Sequence, residues 1–598
     1  SLWSKWMGWL VEHCLDPATI GGRTLSDVPL LQSTSIVRDV EAEVLSTLHL
    51  RPVDIVDMYP VTPLQSGLLS ALVRDPAEYI LQYVFDIAGD FTFAQLEACG
   101  RKLVQATPVL RTVVASTPHG FFQAITTDDW SDWTFVDYDD DVSWGRRDAQ
   151  DVDAATEAFL AHDRQRGFTL ASKSFLRATG IRLADGRLRV VWTIHHIIVD
   201  GWSMQLLFTA LSDLCHGRAM PTFVPFKHHV EWLGSQAKDD DGASRVFWQS
   251  TLRGLEDKTA PLALPKPATV PSSKYESMTR SMTLPDLKRV CQSLAVTPSS
   301  LFRAAWAIVL QQYTRGDDVI FGSIVSGRDT GVDGVETMIG MLVNTVPLRM
   351  HVPTTGLASD LIVAIHTHSI DLMRHAHCSL LDINRWTNAS SSTLLFDTML
   401  NFENYGASTT THSKATDDHP FSIDFVQTHQ FVDSVVGVGV APVHEDLFHV
   451  SFSYQTHHVD AALVGHMADR FLHVASQIAS SSSSALVIAQ LDKATGVELD
   501  VLKTASAGPA IPLPYALLHH AFEALAATTD CANRCAIEFE NEGLSYADLD
   551  GKANTVAREL AALGVASSGA RVAVVMERCV DDAPRCIVSP RTTGLDAR

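Results

Sequence analysis

A double histidine opens the stretch His195-His196-Ile197-Ile198-Val199-Asp200-Gly201, from which both the fold class and the candidate site can be predicted. The residues leading into it, 187–195 (RLRVVWTIH), are rich in β-branched side chains and predict a strand. Ser203 to Leu214 has apolar residues at helical spacing and predicts a helix. The stretch therefore lies at a strand end, where active sites of layered α/β proteins are commonly found.

The chain contains four adjacent histidine pairs, at 195–196, 228–229, 457–458 and 519–520. For the last three, an ordinary surface or core histidine is the simpler interpretation. Only the first pair is followed, after three residues, by Asp-Gly. This spacing makes it the candidate catalytic segment.

The residue types of this segment suit proton transfer to or from an amine. Because successive strand side chains alternate, only one of His195 and His196 is expected to point into a cavity. Asp200 is expected to accept backbone N–H groups or to pair with an arginine, and Gly201 to allow a sharp turn or a close substrate approach. A free α-amino group titrates near pH 8, so a neutral imidazole can remove its proton and hold it for attack on an activated acyl group.

Composition excludes several function classes. A length of 598 residues predicts several domains, and a net charge of −23 argues against nucleic-acid binding. No apolar run reaches the roughly 20 residues of a membrane span, and nine scattered cysteines fit a reducing compartment. We therefore expect a cytoplasmic protein without nucleic-acid or membrane partners. We also expect no metal site, since Cys531 and Cys535 lack a second ligand pair.

Strand-like and helix-like segments alternate over most of the chain and predict an α/β fold with two lobes in tandem. The predicted domains are an upstream tail and linker (1–50), a first lobe (51–224), a second lobe (225–500), a linker (501–516) and a new unit (517–598). The linker prediction rests on the proline-rich segment Thr504 to Pro514. The start of the chain resembles a piece of a longer polypeptide.

The segment HHIIVDGWS resembles the signature of nonribosomal peptide synthetase condensation domains, members of the chloramphenicol-acetyltransferase-like superfamily. Further motifs of that family are matched in the same order between about residues 50 and 500. They are Tyr59 to Leu69 (YPVTPLQSGLL), Val109 to Thr112 (with Thr107 and Pro108 in place of the usual His-Glu), Phe226 to Trp232, Phe321 to Arg328, Ile339 to Thr345 and Asn401 to Tyr405.

The resemblance implies two lobes in a V around a central tunnel, in which one carrier-bound acyl group is joined to another by an amide bond. It implies His196 as the catalytic residue, within a catalytic motif that also holds His195 and Gly201. It implies a structural Asp200, salt-bridged first to Arg328 or, as second choice, to Arg177. Further candidates for the tunnel or substrate are Trp202, Ser203, Asn344 and Gln65.

The implied partners are an upstream donor carrier domain, a downstream acceptor carrier domain and an adenylation domain. No cofactor is expected on the chain itself, since the carriers present the phosphopantetheine arms. The segment from Leu517 to Arg578 resembles the start of an adenylation domain and stops short of a phosphate loop. Trp3 to Leu31 resembles the tail of an upstream epimerization or condensation-like domain.

Details of the motifs indicate a subclass. Trp202 before Ser203 differs from epimerization domains, and an intact His195 differs from terminal cyclizing domains. The segments YPVTPLQSGLL and NFENY resemble condensation domains of the D-donor or fungal type. Two other functions remain open: an acyl-CoA-dependent acyltransferase of the same fold, and a non-catalytic synthetase remnant that docks carriers.

Overall fold

The computed structural model describes residues 2–15, 23–137, 152–183, 185–239, 242–255, 275–314, 316–387, 395–403, 421–429, 434–480, 486–492, 494–507, 514–515 and 517–564. By its internal contacts the chain divides into two units, Ser1–Thr495 and Gly496–Arg598. Each unit is described by itself below.

The helices of the first unit surround three sheets. In chain order they are α1 Leu2–Leu15, α2 Thr34–Leu48, α3 Pro63–Arg74, α4 Phe93–Ala106, α5 Val152–Arg166, α6 Gly201–Cys215, α7 Lys227–Asp239, α8 Ala243–Thr251, α9 Leu287–Leu294, α10 Pro298–Thr314, α11 Ala358–Met373, α12 Leu380–Trp386 and α13 Ala461–Ser480.

The strands of the first unit are β1 Ile55–Pro60, β2 Ile80–Gly89, β3 Thr112–Thr117, β4 Gly120–Thr126, β5 Asp132–Asp137, β6 Leu176–Arg182, β7 Leu188–His195, β8 Tyr275–Thr283, β9 Asp318–Val325, β10 Asn344–His351, β11 Thr398–Phe402, β12 Phe421–His429, β13 Val436–Pro442 and β14 Leu447–Gln455. They form sheets of order β1-β4-β3, β12-β2-β7-β6-β5 and β10-β9-β11-β13-β14-β8. The mixed α/β class predicted from the sequence is confirmed.

Helix starts near the site follow directly from local sequence. α3 begins with Pro63 after Thr62, whose side chain accepts a hydrogen bond from the Gln65 amide while the Gln65 side chain caps Thr62 in return. α6 begins behind Asp200, whose carboxylate accepts a hydrogen bond from the Ser203 amide. These caps fix where α3 and α6 leave the sheet and thereby position the loops around the double histidine.

Each of the two larger sheets has its own apolar core. The part of the first unit built on the five-stranded sheet is called the first lobe, and the part built on the six-stranded sheet the second lobe. In the first lobe, β7 is buried along its whole length and contributes Trp192, which stacks against Phe208 of α6. In the second lobe, α10 and α13 cover the six-stranded sheet with a cluster that includes Trp306, Phe452 and Phe471. Such dense packing of aromatic rings holds the strands of both sheets in fixed positions.

The predicted boundary at 500/501 lies close to the division between Thr495 and Gly496, whereas the predicted boundary at 50/51 does not match the packing. Residues 23–50, expected to belong to an upstream tail, cover the three-stranded sheet with Val37, Val40 and Val44 of α2 against strand residues such as Val113. These apolar side chains would otherwise be exposed, so the segment is part of the first lobe's core. Only α1 agrees in character with the tail prediction, since its tryptophans Trp3, Trp6 and Trp9 are exposed.

The boundary at 224/225 separates the lobes in sequence but not in space. β12 follows β11 in the chain, yet it pairs antiparallel with β2 and forms the edge of the first lobe's sheet. Met338 and Leu342 also pack in the first lobe's core. The second half of the chain therefore completes the first lobe.

Two strand starts near the site follow from their flanking residues. β3 starts at Thr112, because Pro108–Arg111 forms a 3-10 helix with proline at its first position. β10 starts at Asn344. The linker predicted from Thr504 is wrong at its start, since residues 504–507 continue the helix Gly496–Ala507.

The second unit is small. It contains α14 Gly496–Ala507, α15 Leu518–Ala526, α16 Thr529–Ala532, the hairpin of β15 Cys535–Phe539 with β16 Glu542–Ser545, and α17 Tyr546–Ala562. Its cluster consists of Leu544 and Leu549 with Phe522, Ala536 and Ile537 around them. The part of the adenylation-like segment that follows residue 564 lies outside the described residues.

Within the described residues, no single helix combines the length and hydropathy that a membrane span requires. The bent pair α9 and α10, which meet at 97°, meets those criteria jointly, by length and composition alone.

Candidate active site

The two histidines lie at the end of β7, and the backbone directs them to different environments. His195 pairs with Ile80 of β2, and its amide donates to the Phe175 carbonyl at 3.0 Å. The His196 amide donates to the Tyr79 carbonyl at 2.9 Å, and Tyr79 itself has φ 57°. This left-handed conformation is costly for a tyrosine, so the turn before β2 is held by its surroundings.

His196 is the histidine whose ring lines a cavity. Its Nδ1 lies 2.7 Å from the Val199 carbonyl oxygen. A carbonyl only accepts, so Nδ1 carries the proton and Nε2 of the neutral ring carries the lone pair. Burial lowers the pKa of His196, against the opposing effects of the Val199 hydrogen bond and the Asp200 charge. The ring is thus kept neutral and able to accept a proton at Nε2.

His195 has the opposite hydrogen-bonding pattern and faces the core. Its Nδ1 accepts a hydrogen bond from the Ile197 amide at 3.1 Å, which leaves the proton on Nε2. The ring is fully buried beside Phe168 and Phe175. Burial lowers its pKa to about 3, with a smaller effect of His196. His195 was grouped with the catalytic residues, but the structure places it behind the cavity, where it supports the turn.

Asp200 connects the loop of the first lobe to the second lobe. Its Oδ2 accepts from Arg328 Nη1 at 2.8 Å and from the Leu342 amide at 3.1 Å, and its Oδ1 accepts from the Ser203 amide at 2.8 Å. Burial would raise the pKa of Asp200, but the Arg328 charge and these hydrogen bonds outweigh it and lower the pKa. Asp200 is therefore an ionised, fully bonded carboxylate.

Arg177, the second-choice partner, does not contact Asp200. It lies on β6 and pairs with Asp163 of α5 at 3.0 Å, while its Nη1 donates to the Gly167 carbonyl at 2.6 Å. The strand directs this side chain towards α5. Gly201 is the first residue of α6, and its φ is not in the left-handed region.

Ser203 and Trp202 support Arg328 instead of lining the cavity of His196. The buried Ser203 hydroxyl donates to the Gly340 carbonyl at 2.9 Å and lies 3.2 Å from Arg328 Nη2. The Trp202 ring lies 5.3 Å from the Arg328 guanidinium carbon, and its Nε1 donates to the Glu336 carbonyl at 2.9 Å. Neither residue belongs to the described lining of the cavity that His196 lines.

Gln65 and Asn344 are also occupied with backbone groups. Gln65 is fully buried, and its Nε2 donates to the Ile197 carbonyl at 2.9 Å, which holds the histidine loop against α3. Asn344 Nδ2 donates to the Ala376 and Cys378 carbonyls at 2.7 and 2.8 Å. Asn344 lines a smaller neighbouring cavity of about 50 Å³, together with His229.

The cavity that His196 lines, called the His196 cavity below, has a volume of about 270 Å³. Residues of both lobes form its wall. The described lining consists of Leu64, Leu68, Tyr79, His196, Ile324, Met341, Val343, Thr345, Leu380, Asn384, Leu395, Phe396, Met399, Asn401, Glu403, Gly437, Val438, Gly439, Ser451 and Ser453. Largely apolar with few polar groups, it has the character of a small-molecule site.

The sequence interpretation did not assign a role to three residues near the site. Tyr79 and Glu403 line the His196 cavity, and His229 lies between Phe226 and Trp232 with its pKa lowered to about 4 by burial and by Arg328. His229 lies in the motif Phe226 to Trp232 and Glu403 in the motif Asn401 to Tyr405, and these positions were the sequence signal that could have identified both residues. Tyr79 had none, because its positive φ is visible only in the fold.

The pair His519–His520 of the second unit lies within 4.8 Å of a Glu523 carboxylate oxygen, measured between possible ligand atoms. All three residues lie on α15, where His519 and Glu523 are one turn apart. Helical spacing accounts for this proximity.

A family model described as a condensation domain matches residues 55–492. The chain is 25% identical over 538 residues to bacitracin synthase 3 of Bacillus licheniformis, covering 87% of this chain and 8% of that protein. It is 28% identical over 543 residues to surfactin synthase subunit 2 of Bacillus subtilis (strain 168), covering 88% and 14%. The chain thus spans a small part of the length of these relatives.

Solved structures with the same fold include two peptide synthetase proteins. A holo four-domain nonribosomal peptide synthetase bound to AMP and glycine gives a TM-score of 0.66 at 16% identity, over 86% of this chain and 39% of that one. The first condensation domain of the calcium-dependent antibiotic synthetase, in complex with a substrate analogue, gives 0.58 at 18% identity, over 73% and 99%. The chain belongs to the condensation-domain family of nonribosomal peptide synthetases.

Proposed function

We propose that this chain forms an amide bond between a donor acyl group and the amine of an acceptor, both held as thioesters on phosphopantetheine arms of carrier domains. One observation carries the proposal: the lone pair of His196 Nε2 belongs to a neutral ring in the wall of a cavity between the two lobes. The upstream and downstream carriers supply the arms, and an adenylation domain loads them.

The reaction needs one proton acceptor and one proton donor in turn. The acceptor nitrogen attacks the thioester carbonyl carbon, the C–N bond forms, and the C–S bond breaks. The nitrogen loses a proton and the departing sulfur gains one, so a group that accepts and then returns a proton balances the step. His196 Nε2 is suited to this role because burial keeps the ring neutral. His195 and Gly201 act as supports of the turn that presents it.

The polar contacts around Asp200 suit a structural role at the site. Arg328 and the Leu342 amide reach Asp200 from the second lobe, while Gln65 holds Ile197 from α3. These bonds fix the loop that carries His196 with respect to both lobes. The two chloramphenicol-acetyltransferase-like lobes would then form a V around a tunnel in which the two arms meet.

The finer assignments are part of the same proposal. The segments YPVTPLQSGLL and NFENY support a D-donor or fungal-type condensation domain. A match of 26% identity to a linear gramicidin synthase protein of Brevibacillus parabrevis extends over 96% of the chain, which supports a synthetase-derived C-terminal segment such as the start of an adenylation domain. The resemblance of the segment from Trp3 to Leu31 to the tail of an upstream epimerization or condensation-like domain belongs to the same proposal, and the exposed tryptophans of α1 support it.

The test is formation of the dipeptidyl carrier, followed by intact mass, with loaded donor and acceptor carriers. His196→Ala is expected to lower the rate by at least about 100-fold, because general acid–base groups contribute about 10² to 10⁴. His228→Ala is the matched control, since His228 is exposed in another histidine pair. Equal rates for wild type and His196→Ala would refute the mechanism, and D- and L-donors in parallel test the subclass.

A further inference from the structure

Glu403 is an acidic side chain in the His196 cavity for which the reaction above has no use. It directly follows β11, and its amide donates to the Val440 carbonyl of β13 at 2.8 Å. Its Oε1 accepts a hydrogen bond from Asn401 Nδ2 at 3.2 Å. The central strands of the second lobe thus place a carboxylate in the same cavity as the His196 ring.

The neighbouring strand packs closely beside this carboxylate. Gly439 lies on β13, and a Cβ added there would lie 2.5 Å from Ser451 Oγ and 3.6 Å from Glu403 Oε1. The position therefore requires glycine, because any side chain would collide with Ser451 and crowd the wall next to Glu403.

The charge of Glu403 is not balanced by the described wall of the cavity. That lining includes no lysine or arginine, and its one basic ring, His196, is neutral. Burial raises the pKa of Glu403, and the Asn401 hydrogen bond opposes this only in part. Glu403 is half-buried. A carboxylate withdrawn from water without a cation beside it is unfavourable, and a bound cation would relieve this cost.

We propose that Glu403 binds a primary ammonium group of the substrate other than the attacking amine. This inference rests on the proposed function. The attacking nitrogen must lose its proton, and an ion pair with Glu403 would hold that proton in place. Two sources have the required chemistry: a free α-amino group on the donor aminoacyl chain, or a basic side chain of either substrate. Glu403 would then select substrates by charge.

The experiment uses stable amide analogues of aminoacyl pantetheine and measures affinity by titration calorimetry on the full chain. Glycyl and N-formylglycyl analogues differ only in the free α-amino group. N-formyl-lysyl and N-formylnorleucyl analogues, in both configurations, differ in the side-chain cation. Wild type is expected to prefer the ammonium-bearing member of one pair by about tenfold, the range of a charged hydrogen bond.

Glu403→Gln is expected to abolish this preference, with the affinity for the neutral member unchanged, and the pair that responds identifies the source. Glu403→Asp keeps the charge and should retain a smaller preference, which guards against a folding defect in the glutamine variant. Glu97→Gln is the matched control, because Glu97 lies on α4 and pairs with Arg101 away from the cavity.

Three results would overturn the proposal: no preference in the wild type, the same preference in Glu403→Gln, or an equal loss for charged and neutral analogues. A failure of this proposal can be distinguished from a failure of the proposed function. Amide formation by the wild type is followed on carriers, whereas the preference is an equilibrium property of binding.

Discussion

Among the site residues named from the sequence, His196 lines the His196 cavity, and several others hold His196 in place. These others, His195, Asp200, Ser203 and Gln65, are buried and bonded to the backbone or to one another. Removing a buried, bonded group leaves its partners unsatisfied, so these positions should affect stability as well as activity.

The ion pair of Asp200 and Arg328 gives the sharpest stability prediction. Asp200→Ala should destabilise the first unit by about 3–5 kcal/mol, because it leaves the Arg328 guanidinium buried without its counter-charge. Urea unfolding of both proteins measures this difference. Asp286→Ala is the matched control: its pair with Arg289 at 3.2 Å is exposed on both sides, so a loss of at most about 1 kcal/mol is expected. Equal losses in the two variants would contradict the structural role of Asp200.

Among the structural elements, the loop between β9 and β10 is as important as the histidine turn, because it carries Arg328 into the first lobe. Arg328 Nη2 also donates to the Met338 carbonyl of the same loop at 3.1 Å. The Gly340 amide donates to Ser203 Oγ at 3.0 Å. These hydrogen bonds hold the loop and the start of α6 against each other.

Gly327 is the position where this loop is most sensitive. Its φ is +64°, and an added Cβ would lie 1.8 Å from the Leu342 carbonyl oxygen. Gly327→Ala should cost more than about 1 kcal/mol and lower the rate of amide formation, since both the strained φ and the clash displace Arg328. Gly331→Ala in the same loop meets no atom within 4 Å and serves as control. Comparable thermal unfolding of the two variants would contradict this prediction.

In the first unit as a whole, the two lobes are connected because segments from the second half of the chain complete the sheet and the core of the first lobe. β12 leaves the second half of the chain and pairs with β2, so the first lobe's sheet is completed from a distant part of the sequence. The core of that lobe also contains Phe226, Met338 and Leu342. The lobes are consequently expected to unfold together.

The buried histidines predict how stability depends on pH. Burial lowers the pKa of His195 to about 3 and of His229 and His429 to about 4, whereas an unfolded histidine titrates near 6.5. Below pH 6.5 the unfolded state therefore binds more protons than the native state, and stability falls as the pH falls towards 4. Each histidine contributes up to about 1.4 kcal/mol per pH unit.

Urea unfolding at pH 7.5, 6.0 and 5.0 measures this dependence. Asp200 does not contribute in this window, because its lowered pKa places its titration at more acidic pH. His229→Gln should reduce the slope by about one proton. A stability that is constant from pH 7.5 to 5.0 would show that these histidines are not held neutral.

Local sequence patterns are sufficient to predict the α/β class, the strand before His195 and the helix after it, whereas the choice of His196 over His195 follows from the family resemblance. β-branched runs, helical periodicity and the Asp200 cap are short-range properties of the chain, so they can be read without knowledge of the fold. The preference for Arg328 over Arg177 follows from the family resemblance alone, since the two arginines are equivalent by residue type.

Which side chains share the cavity, by contrast, depends on the folded arrangement of the lobes. Trp202 and Ser203 are adjacent to the motif in sequence, yet their side chains contact Arg328. Tyr79 and Glu403 lie far from the motif in sequence, yet they line the cavity with His196. The packing of α2 on the first lobe and the pairing of β12 with β2 also could not be predicted. The physical reason is that these contacts join distant segments, whose pairing depends on the folded surfaces and not on local sequence.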